Sequence, residues 1–206
     1  VIAEARGFVR RDADTYDLVQ MSMLDSFAVA GSGVQALNEN HLYTVEAMQD
    51  LLASIDAVAA EPYVDPQCLG AIGASFGGYT VFWLAGNHEG RFRTLIAHAG
   101  VFNLESMYGA TEEMFFVNFD LGGAYWDRPD SYERFSPHRF VQNWDTPILV
   151  IHGEKDFRVP IGEGMQAFTA AQLRGIGLPT GPGARRRPRR PPRPPPARRR
   201  KSPRPR

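Results

Sequence analysis

One stretch, residues 69–85, constrains what this chain can fold into more than any other. An apolar run, Leu69 to Ala74, leads into Gly73-Ala74-Ser75-Phe76-Gly77, and a second apolar run, Phe76 to Ala85, leaves it. The first run has the length of a strand and the second that of a helix, so the G-x-S-x-G pentapeptide falls on a strand-to-helix turn. A serine on so sharp a turn takes a strained backbone conformation, with its hydroxyl lifted above the sheet edge. Glycines two residues to either side let neighbouring backbones pass without a Cβ clash. The backbone N–H of Phe76, at the start of the helix, is then aimed at negative charge developing on an acyl oxygen. An ordinary glycine-rich turn would also produce these five letters; the strand before and the helix after favour Ser75 as a nucleophile.

The same alternation continues along the chain. A helical pattern begins at Tyr43, with Val45, Met48, Leu51, Leu52, Ile55 and Val58 or Ala59 on one stripe, and Pro62 and Asp65-Pro66 end it. Thr94 to Ala99 reads as a second strand, Pro147 to His152 as a third, and Gly164 to Arg174 as an amphipathic helix. Short buried strands alternating with helices predict an α/β fold with a mostly parallel sheet and flanking helices. The stretch between the second and third strands is rich in aromatics and carries the breakers Gly122-Gly123, Pro129 and Pro137. It is expected to be an inserted, mostly irregular segment over the sheet.

A partner for the serine comes after the third strand, in His152-Gly153-Glu154-Lys155-Asp156, where Asp156 stands 81 residues after Ser75. In alpha/beta hydrolases the order is Ser, then Asp or Glu, then His, with the acid on the loop after a later strand. Asp156 would hold a histidine in the right tautomer and stabilise the imidazolium. A turn aspartate is the plainer reading of the same residue, and Glu154 is the rival carboxylate.

The segments GASFGGYTVFWLAGN, AHAGVFNLESMYGATEE, YERFSPHRFVQNWDTPILVIHGEKDFRVP and MQAFTAAQLRG together resemble the prolyl oligopeptidase family of serine peptidases, in its dipeptidyl-peptidase and acylaminoacyl-peptidase-like branch. The resemblance runs from about Asp50 to Ile176. It implies a partial alpha/beta-hydrolase catalytic domain over residues 49–176, acting on short peptides and usually gated by a propeller. It also implies Ser75 as nucleophile, the Phe76 N–H as oxyanion donor and Asp156 as the acid. Glu112, Glu113, Tyr125 and Trp126 are candidates for the lining of a substrate pocket, with a packing role as the alternative.

The chain departs from that pattern at both ends. All five histidines, His41, His88, His98, His138 and His152, precede Asp156. In the family the helix around Gln166 to Arg174 leads to a last strand and the loop with the triad histidine. Loss of a triad member leaves only a residual ~10³–10⁴-fold catalysis. His98 and His138 read as satisfied structural residues, and His88 and His41 as exposed residues at helix ends. An H-G-G-type oxyanion loop is missing before the elbow. Instead, residues 1–48 resemble a fragment of spermidine-synthase-like proteins, without the acidic residue expected after Tyr16-Asp17-Leu18-Val19. An aminopropyltransferase activity would lack most of its sheet, and Gly31-Ser32-Gly33 reads as a plain loop. Two unlike fragments meeting near Met48 and an abrupt change at residue 177 lead to the expectation of a truncated, chimeric or frameshifted reading frame.

Charge marks the second junction. The formal net charge is zero, yet residues 1–176 hold all 23 acids and 11 bases, while residues 177–206 hold 12 bases, 10 prolines and no acid. The tail has almost no apolar side chains and is expected to be disordered. Its arginine-rich part, residues 185–206, would bind polyanions non-specifically, or else have no evolved role, since no aromatic is interleaved for base stacking. Cys68 is the only cysteine, which excludes a disulfide framework and a multi-cysteine zinc site. No histidine pair has metal-ligand spacing, and neither metal nor cofactor is expected. No apolar run approaches the ~20 residues that span a bilayer. No signal peptide is visible, and with Val1 as first residue the compartment stays open. The function expected is proteolysis of short peptides through an acyl-enzyme, impaired by the missing histidine. An esterase or acyl hydrolase on the same fold, and polyanion binding through the tail, are the alternatives.

Overall fold

The computed structural model describes residues 44–176. Helix α1 spans Val45–Ala59 and starts at Thr44, whose hydroxyl accepts the Ala47 N–H at 3.0 Å, while Glu46 places a negative charge in the first turn. Its stripe narrows in practice to Met48 and Ile55, which are buried; Leu51 and Leu52 are partly covered and Val45 is exposed.

Strand β1 (Gly70–Ala74) runs into α2 (Phe76–Asn87), and β2 (Thr94–His98) and β3 (Ile148–Ile151) follow. The three strands form an open parallel sheet in the order β1-β2-β3, with Ile72 beside Ile96 and Ile96 beside Leu149. Helix α2 is apolar on every side because it is buried on every side: all residues from Gly78 to Ala85 are in the interior. It lies between the sheet and a 3-10 turn over Pro137–Asn143. Phe82, Phe102 and Trp144 meet there with ring centres 5.7–6.0 Å apart, joining α2 to the chain before and after the insert.

The stretch between β2 and β3 is not mostly irregular, as its composition had led one to expect. It holds three seven-residue helices, α3 (Leu104–Ala110), α4 (Met114–Asp120) and α5 (Pro129–Phe135), besides the 3-10 turn. Pro129 and Pro137 open elements here instead of breaking them, since the first turn of a helix needs no donor from proline. Asn103 caps α3 by accepting the N–H groups of Glu105 at 3.1 Å and Ser106 at 3.4 Å. Helix α6 (Ile161–Leu173) starts three residues before the expected Gly164 and rests Ala167 and Ala171 on the core.

The sheet's two faces differ sharply. Ala71, Leu95, Ala97 and Ile148 point into the core, whereas Ile72 is 73% exposed and Leu149 and Ile151 about 40%. Among the described residues nothing covers that second face, and β1 and β3 each leave one edge unpaired.

Candidate active site

Ser75 takes φ 57° and ψ −120°, a left-handed conformation that a side chain enters only at a cost of ~1–3 kcal/mol. Two bonds hold the strain. The Ser75 N–H donates to the His98 carbonyl at 2.9 Å, and the Tyr79 N–H donates to the Ser75 carbonyl at 3.0 Å. The turn is therefore pinned to the neighbouring strand on one side and to its own helix on the other. Ser75 itself is exposed, at the C-terminal edge of the sheet. Phe76 opens α2, so its N–H belongs to the first helical turn, whose donors find partners outside the helix.

The glycines of the turn divide into two kinds. A Cβ on Gly73 would lie 2.2 Å from the Gly77 carbonyl oxygen, so the first glycine of the motif is demanded by a close backbone approach. Gly77 meets nothing within 4 Å, contrary to the expectation that both flanking glycines avoid a clash. The crowded position is Gly78, where a Cβ would lie 2.7 Å from Gly100 Cα. The close pass is thus made by the first turn of α2 against the chain leaving β2.

Asp156 sits on the loop after β3, two strands from Ser75 on the same sheet edge, a separation of ~10 Å between strand axes. Its carboxylate is oriented by the loop's own backbone: Oδ1 accepts from Arg158 N–H at 3.1 Å and Val159 N–H at 2.9 Å. The side chain is 26% exposed, with Oδ2 4.0 Å from His152 Nε2. Glu154 is exposed on the same loop.

The loop is strapped to the helical insert. Glu112 donates its N–H to the Phe157 carbonyl at 3.0 Å, Thr111 Oγ1 donates to the Arg158 carbonyl at 2.7 Å, and Arg158 forms an ion pair with Glu113. Glu113 is thereby engaged with the acid's loop, while Glu112 is exposed. Tyr125 and Trp126 are 37% and 63% exposed and pack edge to face at 4.8 Å, with Tyr108 against both. Two cavities of about 140 and 350 Å³ lie by α1 and α5, and neither is lined by Ser75, Asp156 or these four residues.

The described histidines have other occupations. His88 was expected to be exposed and is 2% exposed: its Nδ1 accepts the Phe92 N–H at 3.2 Å and its Nε2 meets Thr146 Oγ1 at 2.9 Å, closing the turn after α2. His138 meets Ser136 Oγ at 2.7 Å, and burial holds its imidazole below the usual range. The Nε2 of His152 is 2.6 Å from the Val159 carbonyl, and its ring packs on Gly164. His98, expected as a satisfied structural residue, is exposed on the uncovered side of the sheet. His41, with the rest of residues 1–43, lies outside the described residues.

Sequence reasoning missed Glu163. Its side chain is 2% exposed, and Oε2 accepts from Phe102 N–H at 2.9 Å and Asn103 N–H at 2.7 Å, while Ser106 Oγ bonds Oε1. Burial pushes its carboxyl above the usual carboxylate range, and these bonds pull it part of the way back. No group of three or more metal-ligating side chains occurs among the described residues. No described helix is long and apolar enough to cross a membrane.

An open parallel sheet with a serine on a left-handed strand-to-helix turn, and a carboxylate on the loop of a later strand, defines the alpha/beta-hydrolase class. The chain belongs to the prolyl oligopeptidase family, whose sequence pattern matches residues 35–179. It is 53% identical over 138 residues to dipeptidyl-peptidase 5 of Porphyromonas gingivalis, a match covering 65% of this chain and 20% of that protein. Identity to dipeptidyl-peptidase 5 of Schizosaccharomyces pombe is 45% over 115 residues, covering 55% and 17%. Among solved structures, the acylaminoacyl peptidase of Pyrococcus horikoshii superposes with a TM-score of 0.59 at 24% identity, over 64% of this chain and 22% of that one, which shows a shared fold. The chain spans about a fifth of the length of the curated relatives it matches. The expected likeness of residues 1–48 to spermidine-synthase-like proteins gains no support from these matches, and the family's own match begins inside that segment. Residues 185–206 lie outside the described residues, and nothing in the matches supports polyanion binding.

Proposed function

We propose that the chain carries the nucleophile and the acid of a serine peptidase that cleaves short peptides through an acyl-enzyme. Ser75 Oγ attacks the scissile carbonyl carbon, an imidazole takes its proton and returns it to the leaving amine, and water then releases the acyl group. The Phe76 N–H faces the oxyanion, and Asp156 holds the imidazole. The observation that carries the reading is the left-handed Ser75 backbone, bonded to the next strand on the edge where the Asp156 loop emerges. Peptides are favoured over simple esters because the relatives at 53% and 49% identity are both named dipeptidyl-peptidase 5. An acyl hydrolase on the same fold is the second reading.

These 206 residues hold no histidine after Asp156, so on their own they leave Ser75 without its base. Activity of this chain alone is accordingly impaired. A fluorophosphonate probe tests both statements. It should label Ser75 slowly, added imidazole should speed the labelling, and Ser75→Ala should abolish it. Labelling confined to other serines, or none even with imidazole, would refute the nucleophile.

A further inference from the structure

One buried carboxylate has no part in the chemistry just proposed. Glu163 is the third residue of α6, a place where a glutamate normally sits in water against the helix N-terminus. Here it turns inward and gathers three donors: the N–H groups of Phe102 and Asn103 on Oε2 and the Ser106 hydroxyl on Oε1. Gln166, one turn later, runs parallel to it, accepting from Asn103 Nδ2 at 3.3 Å and donating to Ser106 Oγ at 3.1 Å. A buried charge with satisfied donors is seldom worth more than a well-packed apolar group of similar size, so stability alone is a weak reason for it. What a carboxylate supplies is direction, since its bonds to N–H groups are short and aimed.

The groups it joins are the two halves of the site. Phe102 and Asn103 lie between β2 and α3, and that same stretch contains Gly100, whose backbone touches Gly78, three residues past Ser75. On the other side, α6 begins one residue after Pro160, and Val159 before it donates its N–H to Asp156 Oδ1. Glu163 is therefore a buried polar link between the helix that follows the carboxylate's loop and the chain against which the elbow is packed. We propose that Glu163 is a positioning residue that sets the spacing of the Asp156 loop from the Ser75 elbow, acting through Phe102, Asn103 and Ser106. The inference rests on the reading of Ser75 and Asp156 as nucleophile and acid, but the spacing it describes needs no working base.

Residue-resolved amide hydrogen exchange on the full chain tests it, under conditions where every variant is folded. Glu163→Ala should lower protection at Phe102 and Asn103 and also at Arg158 and Val159, whose N–H groups hold Asp156, by on the order of tenfold. Glu163→Gln keeps a carbonyl oxygen for the two N–H groups and an amide for Ser106, and should restore protection at all four. Ser106→Ala should show the same pattern more weakly, and decides the matter if Glu163→Ala does not fold. A purely structural staple would loosen Phe102 and Asn103 alone. Unchanged protection at Arg158 and Val159, or Glu163→Gln behaving like Glu163→Ala, would overturn the proposal. Fluorophosphonate labelling in the same samples separates the two readings: a Ser75 that never labels removes the nucleophile, while the exchange pattern still decides the spacing.

Discussion

Replacing Gly78 by alanine should destabilise the protein, whereas the same change one residue earlier, at Gly77, should not. Both residues lie in the first turn of α2, so both substitutions gain the same helix propensity, up to ~1 kcal/mol. They differ in what the new methyl meets. At Gly77 there is nothing within 4 Å. At Gly78 the methyl would sit 2.7 Å from Gly100 Cα and the His98 carbonyl oxygen and 2.9 Å from Gly100 N. Ordinary carbon contacts begin at ~3.5 Å, so the overlap approaches 1 Å, and all three neighbours are backbone that no rotamer change can move. Relief requires α2 to lift from the chain after β2, an overpacking cost of ~3 kcal/mol. The two variants should thus differ by ~3 kcal/mol, or roughly 9–15 °C in Tm for a body of this size. Thermal unfolding followed by circular dichroism, with the unmodified chain alongside, reads the difference directly. Melting of Gly78→Ala within about 2 °C of Gly77→Ala would refute the close backbone approach as the reason for that glycine.

Two further expectations concern stability. Arg91 donates to both Asp56 carboxylate oxygens, from Nε at 2.6 Å and Nη2 at 2.9 Å, and this pairing holds the Asp56 carboxyl below its ordinary value. The contribution should therefore be present above about pH 4 and fade as the pH falls through the lowered pKa; Asp56→Asn should cost ~0.5–1 kcal/mol at pH 7 and progressively less as the solution is acidified below about pH 4, measured by urea unfolding. Tyr132, fully buried among Tyr108 and Tyr125, donates its hydroxyl to the Gly123 carbonyl at 2.9 Å. Tyr132→Phe should lower the urea midpoint by the equivalent of ~1–2 kcal/mol without changing the slope, and an unchanged midpoint would show that the carbonyl finds another partner.

How much of this was legible in the residues depends on the range of the interactions involved. The strand-to-helix turn at Ser75 and the loop that carries Asp156 can be read because their signals are local, a strand, a turn and a few glycines or breakers. The sheet can be read because Ile148 to Ile151 is a run of branched apolar residues with little else it can form. Helix α4 escapes because its two turns bury Val117 alone and leave no stripe, while α3 and α5 bury two or three residues over too few turns for a period to stand out. His88 looks like an exposed helix end until Thr146, 58 residues away, closes over it. Glu163 has the same difficulty: a first-turn glutamate is an ordinary helix-start signal, and its donors lie about 60 residues back in the chain. The one hint was its place directly after the acid's loop, with Gly162 and Gly164 on either side.

The strand order carries a consequence for assembly. The three strands lie side by side in the order in which they leave the ribosome. Pairing Gly70 with Thr94 needs only α2 and its turn, but pairing Leu95 with Ile148 must wait for the whole helical insert. At ordinary synthesis rates of roughly 5–20 residues per second, that wait is about 3–10 s. The elbow, its bond to the His98 carbonyl and its contact with Gly100 all belong to the earlier piece. The unusual backbone of Ser75 is therefore set by its immediate neighbours first, and Asp156 arrives at a turn already made.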